Sequence, residues 1–358
     1  MKPVLFPFSI DIDPMSRVLL INFEKDPDTI YVGFEPQVFD DEITGKGHLV
    51  IGWRKDGKVD VYYQPTLHPK PEKYDIAGKG LNELIKTGFE VAEFEINESG
   101  VQSSYVFSDC YGRKIDLHIE EQNKTARKPF DLLAPMGHAA ENPSALPLIL
   151  LYDFYFVRKK DTKLRVSING KEHRPDSLPL PMDCMWMYFL RYSSKPLIAT
   201  LNPQFKGELS PVWLNEIDVV LTDNKYEWHF SEQDGEILIN KLVRLNLIAP
   251  IALHFNPPFP DLYRFLPKKN VEGRFNITGK PSIGYIEGKY SVRRVENQFY
   301  ISLTPSSGWI PKPDKLVLRF LYFIVKPFKN WPKTYRWEAN ITINSDKYYM
   351  ESKWIRTK

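Results

Sequence analysis

Polar and apolar residues alternate along several stretches of the chain. Lys114-Ile115-Asp116-Leu117-His118-Ile119-Glu120 does so without error, with Ile115, Leu117 and Ile119 on one side. Lys163 to Ile168, Tyr226 to Phe230 and Tyr335 to Ile343 keep the same period. A period of two predicts strands in sheets with one buried and one wet face. Helical periodicity is scarce. Asn82 to Lys86 reads as one short helical turn, and no amphipathic run of twelve or more residues follows it. Phe320 to Val325 is continuously apolar and reads as a buried strand, with a place at a membrane surface as the alternative.

The segments between these runs carry turn chemistry. Asp56-Gly57 separates two strand-like runs, Asp109 to Gly112 separates two more, and Asn169-Gly170 follows Ile168. Such pairs supply the positive φ of tight hairpins. The 29 prolines are spread over 358 residues, so elements should be short and often interrupted. A weak internal similarity links Phe107-Ser108-Asp109…Gly112 to Phe230-Ser231-Glu232…Gly235, and Leu133-Ala134-Pro135 to Ile248-Ala249-Pro250. Duplication and chance explain it equally well. Proline-rich stretches from Arg174 to Asp183 and from Pro196 to Pro211 place the main boundary near residue 200. The expected domains are residues 1–200 and 201–358.

Composition narrows the function classes. Lys and Arg total 48 against 45 Asp and Glu, which is too balanced for a protein devoted to nucleic acid. The run Arg158-Lys159-Lys160 follows an apolar segment and reads as a solvated loop end. The first residues have no signal-peptide pattern, and no apolar run is long enough to span a bilayer. Two distant cysteines, Cys110 and Cys184, are expected reduced in a cytoplasmic protein. Four Asn-x-Ser/Thr triplets, at Asn97, Asn123, Asn276 and Asn340, mean little without a secretory leader.

No nucleotide, zinc-protease or serine-hydrolase motif is present. The candidates are therefore constellations. Residues 132–143 form a loop of small residues around His138 and Glu141, an acid–base pair by residue type. Asp116, His118 and Glu120 share one strand face. Two of them could converge on zinc or iron, or all three could be solvated. Asp109 and Arg113 could pair across their turn, or Arg113 could bind a carboxylate. Met182 to Tyr192 holds three of the seven methionines. Core packing is one reading. The other is an apolar pocket wall of Met185, Trp186 and Met187 with Arg191 and Tyr192 as polar anchors at its mouth. Trp309, Trp331, Trp337 and Trp354 either pack a core or stack on sugar rings.

Three segments carry a resemblance of layout: Gly47 to Trp53, Tyr105 to Asp109 with Gly112-Arg113, and Trp331 to Trp337. With them the chain resembles the two-domain lipocalin-like (calycin) proteins, the group that includes carotenoid hydratases and pericyclase-type cyclases. The resemblance implies two antiparallel barrels or strongly curved sheets with an apolar ligand inside or between them. It carries over no catalytic residue.

The expectation is thus an all-β protein of two antiparallel β-barrel or curved β-sandwich domains, lipocalin-like, with very little helix. It binds a hydrophobic small molecule. Any turnover would need no cofactor or metal and would be isomerisation, hydration or cyclisation, with His138 and Glu141 as acid and base. A carbohydrate-binding β-sandwich and a structural protein are the alternatives. The ligand's identity and the oligomeric state are not legible.

Overall fold

The alternation at residues 114–120 is realised in the computed structural model, which describes residues 2–137, 139–215, 220–313, 315, 318–319, 322–323 and 330–357. Ile115, Leu117 and Ile119 are buried there, while Asp116, His118 and Glu120 look outward. In chain order the strands of the first half are β1 (Lys2–Val4), β2 (Ile10–Pro14), β3 (Arg17–Asn22), β4 (Tyr31–Asp41), β5 (Gly45–Arg54), β6 (Val59–Tyr63), β7 (Leu81–Lys86), β8 (Val91–Asn97), β9 (Gly100–Ser108), β10 (Lys114–Glu121), β11 (Phe130–Ala134), β12 (Leu146–Arg158), β13 (Thr162–Ile168), β14 (Lys171–Glu172) and β15 (Met187–Leu201). The second half adds β16 (Phe205–Leu209), β17 (Val212–Leu214), β18 (Val220–Thr222), β19 (Tyr226–Gln233), β20 (Glu236–Arg244), β21 (Ile251–Phe259), β22 (Asn270–Thr278), β23 (Tyr285–Val295), β24 (Gln298–Ile310), β25 (Tyr335–Asn344) and β26 (Lys347–Arg356).

The protein is all-β, and helical backbone among the described residues is confined to two 3-10 turns, Pro71–Tyr74 and Pro281–Ile283, and to five residues near the C-terminal sheet, of which Asn330 stands by itself. Leu318, Arg319, Tyr322 and Phe323 have helical backbone. Leu318 and Tyr322 are buried while Arg319 and Phe323 are exposed, which is helical spacing. Tyr322 packs edge-on against Trp309 at 5.1 Å. The strand expected over Phe320–Val325 is thus absent at Tyr322 and Phe323. Phe320, Leu321, Ile324 and Val325 lie outside the described residues. The turn expected at Asn82–Lys86 is instead β7, paired in parallel with β6. Five residues are too few to separate a period of 3.6 from one of 2.

Three extended sheets result. A nine-stranded sheet runs β11-β12-β15-β3-β4-β5-β6-β7, with β2 also paired to β15. A five-stranded sheet, β14-β13-β10-β9-β8, packs across it. Phe107 on β9 touches Phe34 at 6.5 Å and Tyr62 at 5.0 Å, which marks the inner faces. The third sheet has ten strands, β16-β26-β25-β24-β23-β22-β21-β20-β19-β18. The Asp56-Gly57, Asp109–Gly112 and Asn169-Gly170 segments all form the expected hairpin turns, and Asn169 and Gly170 take φ of 52° and 79°.

Proline does not keep the strands short, contrary to expectation: β12 has 13 residues and β15 has 15. The registers explain how. β15 pairs with β3 over residues 190–193 and with β2 over 197–201, and Pro196 falls in the gap between them. Pro147 lies beyond the reach of β11 on β12, and Pro305 lies beyond β25 on β24. Pro36 sits where the β3–β4 ladder is interrupted between Val18–Gln37 and Ile21–Phe34. Each lacks an N–H where one neighbouring strand offers no partner, so no ladder bond is lost.

The ten-stranded sheet is strongly curved. Phe8 touches Phe255 and Phe259 on β21 and Trp337 on β25, all within 5.5 Å. These strands are four apart in the sheet, a flat separation of roughly 19 Å. The concave side is therefore wrapped around the segment Val4 to Ile10, in which Val4, Leu5, Phe8 and Ile10 are buried. β1 pairs with β17, and the Ile10 carbonyl accepts from Tyr226 and Arg244. Among the described residues no sheet closes into a barrel; the chain's own first residues fill the space that a closed barrel would enclose.

Candidate functional site

The positions singled out by sequence do not converge. His138 lies outside the described residues. Glu141 is exposed in the same loop, which is tied to the C-terminal sheet where Tyr335 donates to the Gly137 carbonyl at 2.6 Å. Met182 and Met185 close a two-residue turn whose tip residues, Asp183 and Cys184, take φ of 51° and 62°. Met187 is fully buried, Met185 is partly buried, and Trp186 is 57% exposed. Arg191 and Tyr192 are consecutive on β15 and so point to opposite faces. Tyr192 enters the sandwich and donates to Glu121 at 3.4 Å, whereas Arg191 lies on the outer face. The expected pocket wall with both as anchors is therefore not formed.

Other candidates take structural roles. Asp116 pairs with Arg165 at 2.8 Å and Glu120 with Lys163 at 2.9 Å, on the solvent side of the small sheet. Among the described residues no group of three or more His, Cys, Asp or Glu is placed to hold a metal. Cys110 and Cys184 are free and exposed. Trp309, Trp331, Trp337 and Trp354 are all buried, so these four present no stacking surface to a sugar. Asp109 and Arg113 do pair across their turn. Asp109 accepts from the backbone N–H groups of Tyr111 and Arg113 and from Arg113 Nε, all within 2.9 Å. Arg113 also reaches Asp28 at 2.9 Å, and its guanidinium with two backbone N–H groups holds Asp28 at about 2 against the opposing effect of burial. Asp109→Asn is expected to destabilise by about 1–2 kcal/mol in urea unfolding, because a charge-assisted pair becomes a neutral one.

One sequence candidate, Arg191, does stand in a chemically unusual place. The outer face of the large sheet brings it together with Asn22, Glu35, Gln37 and Trp53, from β3, β4 and β5. Glu35 is 3% exposed. It accepts from Gln37 Nε2 at 2.8 Å and from the Trp53 indole at 3.1 Å. Burial pushes its carboxyl up to about 7, although these two donors and the charge of Arg191 pull the other way. Burial likewise pulls Arg191 down to about 10, so it stays charged at neutral pH. Arg191 donates through Nη2 to Asn22 Oδ1, while its Nε is buried with no hydrogen-bond partner among the described residues.

The connection from β6 to β7 supplies a cover. Tyr74, Ile76 and Ala77 in it are buried. Burial raises the Tyr74 hydroxyl, helped by the charges of Asp13 and Glu35, so this group stays neutral beside the site. On the other side Arg191 stacks over Phe189 at 4.2 Å. Phe189 continues to Phe156 at 6.2 Å, and Phe156 to Phe154 at 5.3 Å. Arg191, Phe189 and Asn22 are only partly buried, so the buried carboxyl borders an accessible edge at Phe189, behind which Phe156 and Phe154 are buried in the core.

Sequence reasoning passed over Glu35. The available signal was an acid within the run Tyr31 to Phe39, otherwise without charge. Comparison with family models, with curated proteins and with solved structures returned no match.

Chemically, a carboxyl near 7 is present in both protonation states at neutral pH and can give or take a proton. A guanidinium with an unused N–H can hold an oxyanion or carboxylate. Phe189, the partly exposed end of the aromatic row, offers apolar contact.

Proposed function

We propose that the chain binds a hydrophobic small molecule bearing an anionic or oxyanionic end on the outer face of the large sheet. Arg191 anchors that end, the partly exposed Phe189, backed by buried Phe156, takes the apolar body, and Glu35 exchanges a proton with it. The observation that carries this reading is a buried carboxyl, held near 7, beside an arginine whose Nε is unsatisfied. Turnover, where it occurs, is an acid–base isomerisation, hydration or cyclisation that needs no cofactor. The two sheet systems, which change over between Leu201 and Phe205, are the two domains of this reading, and their curvature is its lipocalin-like element.

The test is titration with 1-anilinonaphthalene-8-sulfonate, an apolar anion, followed by competition with decanoate. Arg191→Gln should weaken binding at least tenfold, the scale of one charge-assisted contact. Affinity should fall as pH rises through 7, because ionised Glu35 adds a negative charge beside the anion. Glu35→Gln should remove that pH dependence. Unchanged affinity in both variants would sink the assignment.

A further inference from the structure

One end of the sandwich is stitched from loops that are far apart in sequence. Asn123 Nδ2 donates to the Lys160 carbonyl at 3.2 Å, and the Gln122 N–H to the Asp161 carbonyl at 2.9 Å. The Lys159 N–H donates to the Trp186 carbonyl at 2.9 Å. Lys315 Nζ reaches the Lys128 carbonyl at 2.8 Å and Asp183 at 3.0 Å. These bonds hold residues 122–128, 159–161 and 183–186 in one rim.

The rim combines two features that seldom coincide on a merely solvated surface. Trp186 is 57% exposed at its edge, and Leu180 is 46% exposed. Leu178 bonds to Met187 and Met182 to Met185, so Leu180 lies across the hairpin from Trp186. Around them stand Lys124, Lys128, Lys159 and Lys160, none in an ion pair among the described residues. Among the described residues the carboxylates on this rim are Glu98 and Asp161, both exposed, and Asp183, already engaged by Lys315 and by the Tyr155 hydroxyl at 2.8 Å. Lys159 Nζ lies over the Tyr188 ring at 5.3 Å, and ammonium groups that meet no carboxylate suit an anionic plane. A tryptophan and a leucine beside them suit the boundary between headgroups and acyl chains.

We propose that this rim docks on an anionic lipid bilayer, with Trp186 and Leu180 inserted at the interface and Lys124, Lys128, Lys159 and Lys160 over the headgroups. The assignment stands apart from the Glu35 site, since it uses none of that site's residues.

The experiment is co-sedimentation of the full chain with vesicles of phosphatidylcholine containing 30% phosphatidylserine, beside pure phosphatidylcholine. Binding is expected to the mixed vesicles only, and 0.5 M NaCl should release it. Each lysine at such a surface is worth about fivefold in partitioning, so K159Q/K160Q should weaken binding about 25-fold. Trp186→Ala should weaken it at least about fivefold and abolish the blue shift of tryptophan emission on binding. Both variants alter exposed or partly exposed side chains, and an unchanged melting temperature confirms their fold. No sedimentation with mixed vesicles overturns the proposal. So does sedimentation that K159Q/K160Q leaves intact, or retention on heparin without vesicle binding, which would point to a soluble polyanion.

Discussion

Arg158→Met is expected to cost about 3–5 kcal/mol of folding free energy, read as a shift in the urea midpoint. Arg158 and Glu121 are both fully buried between the two N-terminal sheets. Arg158 Nε meets Glu121 Oε1 at 2.5 Å, and the Arg158 N–H donates to the same oxygen at 3.0 Å. The guanidinium also donates to the Thr125 carbonyl and to the Ser99 carbonyl, the latter at 2.6 Å. Glu121 Oε2 takes the Val101 N–H at 3.2 Å. Methionine fills much of the volume but leaves a carboxylate without its cation in a dry interior. The double variant R158M/E121L should recover only part of the loss. It removes the stranded charge but takes their Glu121 or Arg158 partner from the Ser99 and Thr125 carbonyls, the N–H groups of Val101 and residue 158 and the Tyr192 hydroxyl, at about 1–3 kcal/mol for each group that stays dry. Gly100 belongs to the same arrangement, since a Cβ there would lie 2.1 Å from Glu121 Oε2. A double variant as unstable as the single one would show that the carbonyls, rather than the charge, dominate.

Glu35→Gln should act in the opposite direction. The Glu35 carboxyl moves from its ordinary 4.5 up to about 7 in the folded protein. Below 4.5 it is protonated folded or unfolded, and it costs nothing. Between 4.5 and 7 the folded state binds the proton more tightly, so stability falls as pH rises. Above 7 the full penalty is present, on the order of 3 kcal/mol. Glutamine removes it, and a flipped Gln37 amide can still bond to it while Trp53 keeps an acceptor. The variant should therefore be more stable than the parent at pH 8, by roughly 2–3 kcal/mol, and equal to it near pH 4. Thermal unfolding at the two pH values checks this; equal stability at pH 8 would contradict it.

Both residues show where sequence reading worked and where it stopped. β10 and β25 were legible because one face is wet, and the alternation survives in residue type. β4 was not, because both of its faces are covered and residues 33–39 are all buried. With period two erased, no alternation marked Glu35 as lying on a covered face. Arg158 was hidden by its neighbours. In Arg158-Lys159-Lys160 the last two are at the rim, as a loop-end cluster should be, and the first is in the core. Three consecutive cations offer no pattern that separates them. The lengths of β12 and β15 were obscured by their prolines, since the gaps that accommodate Pro147 and Pro196 arise from strands distant in sequence. The packing role of the four C-terminal tryptophans was one of two open readings, and burial decides it.

The embrace of residues 4–10 by the C-terminal sheet has a consequence for biosynthesis. Phe8 leaves the ribosome well ahead of its partner Trp337. At roughly 5–20 residues per second, on the order of 15–65 s separate them. Until β19 and β21 bring Trp228, Phe255 and Phe259, Phe6 and Phe8 lack their partners in the C-terminal sheet, and the wrap is complete only once Trp337 follows. Closing the C-terminal sheet around residues 4–10 thus joins segments synthesised far apart in time, a closure of very long contact order.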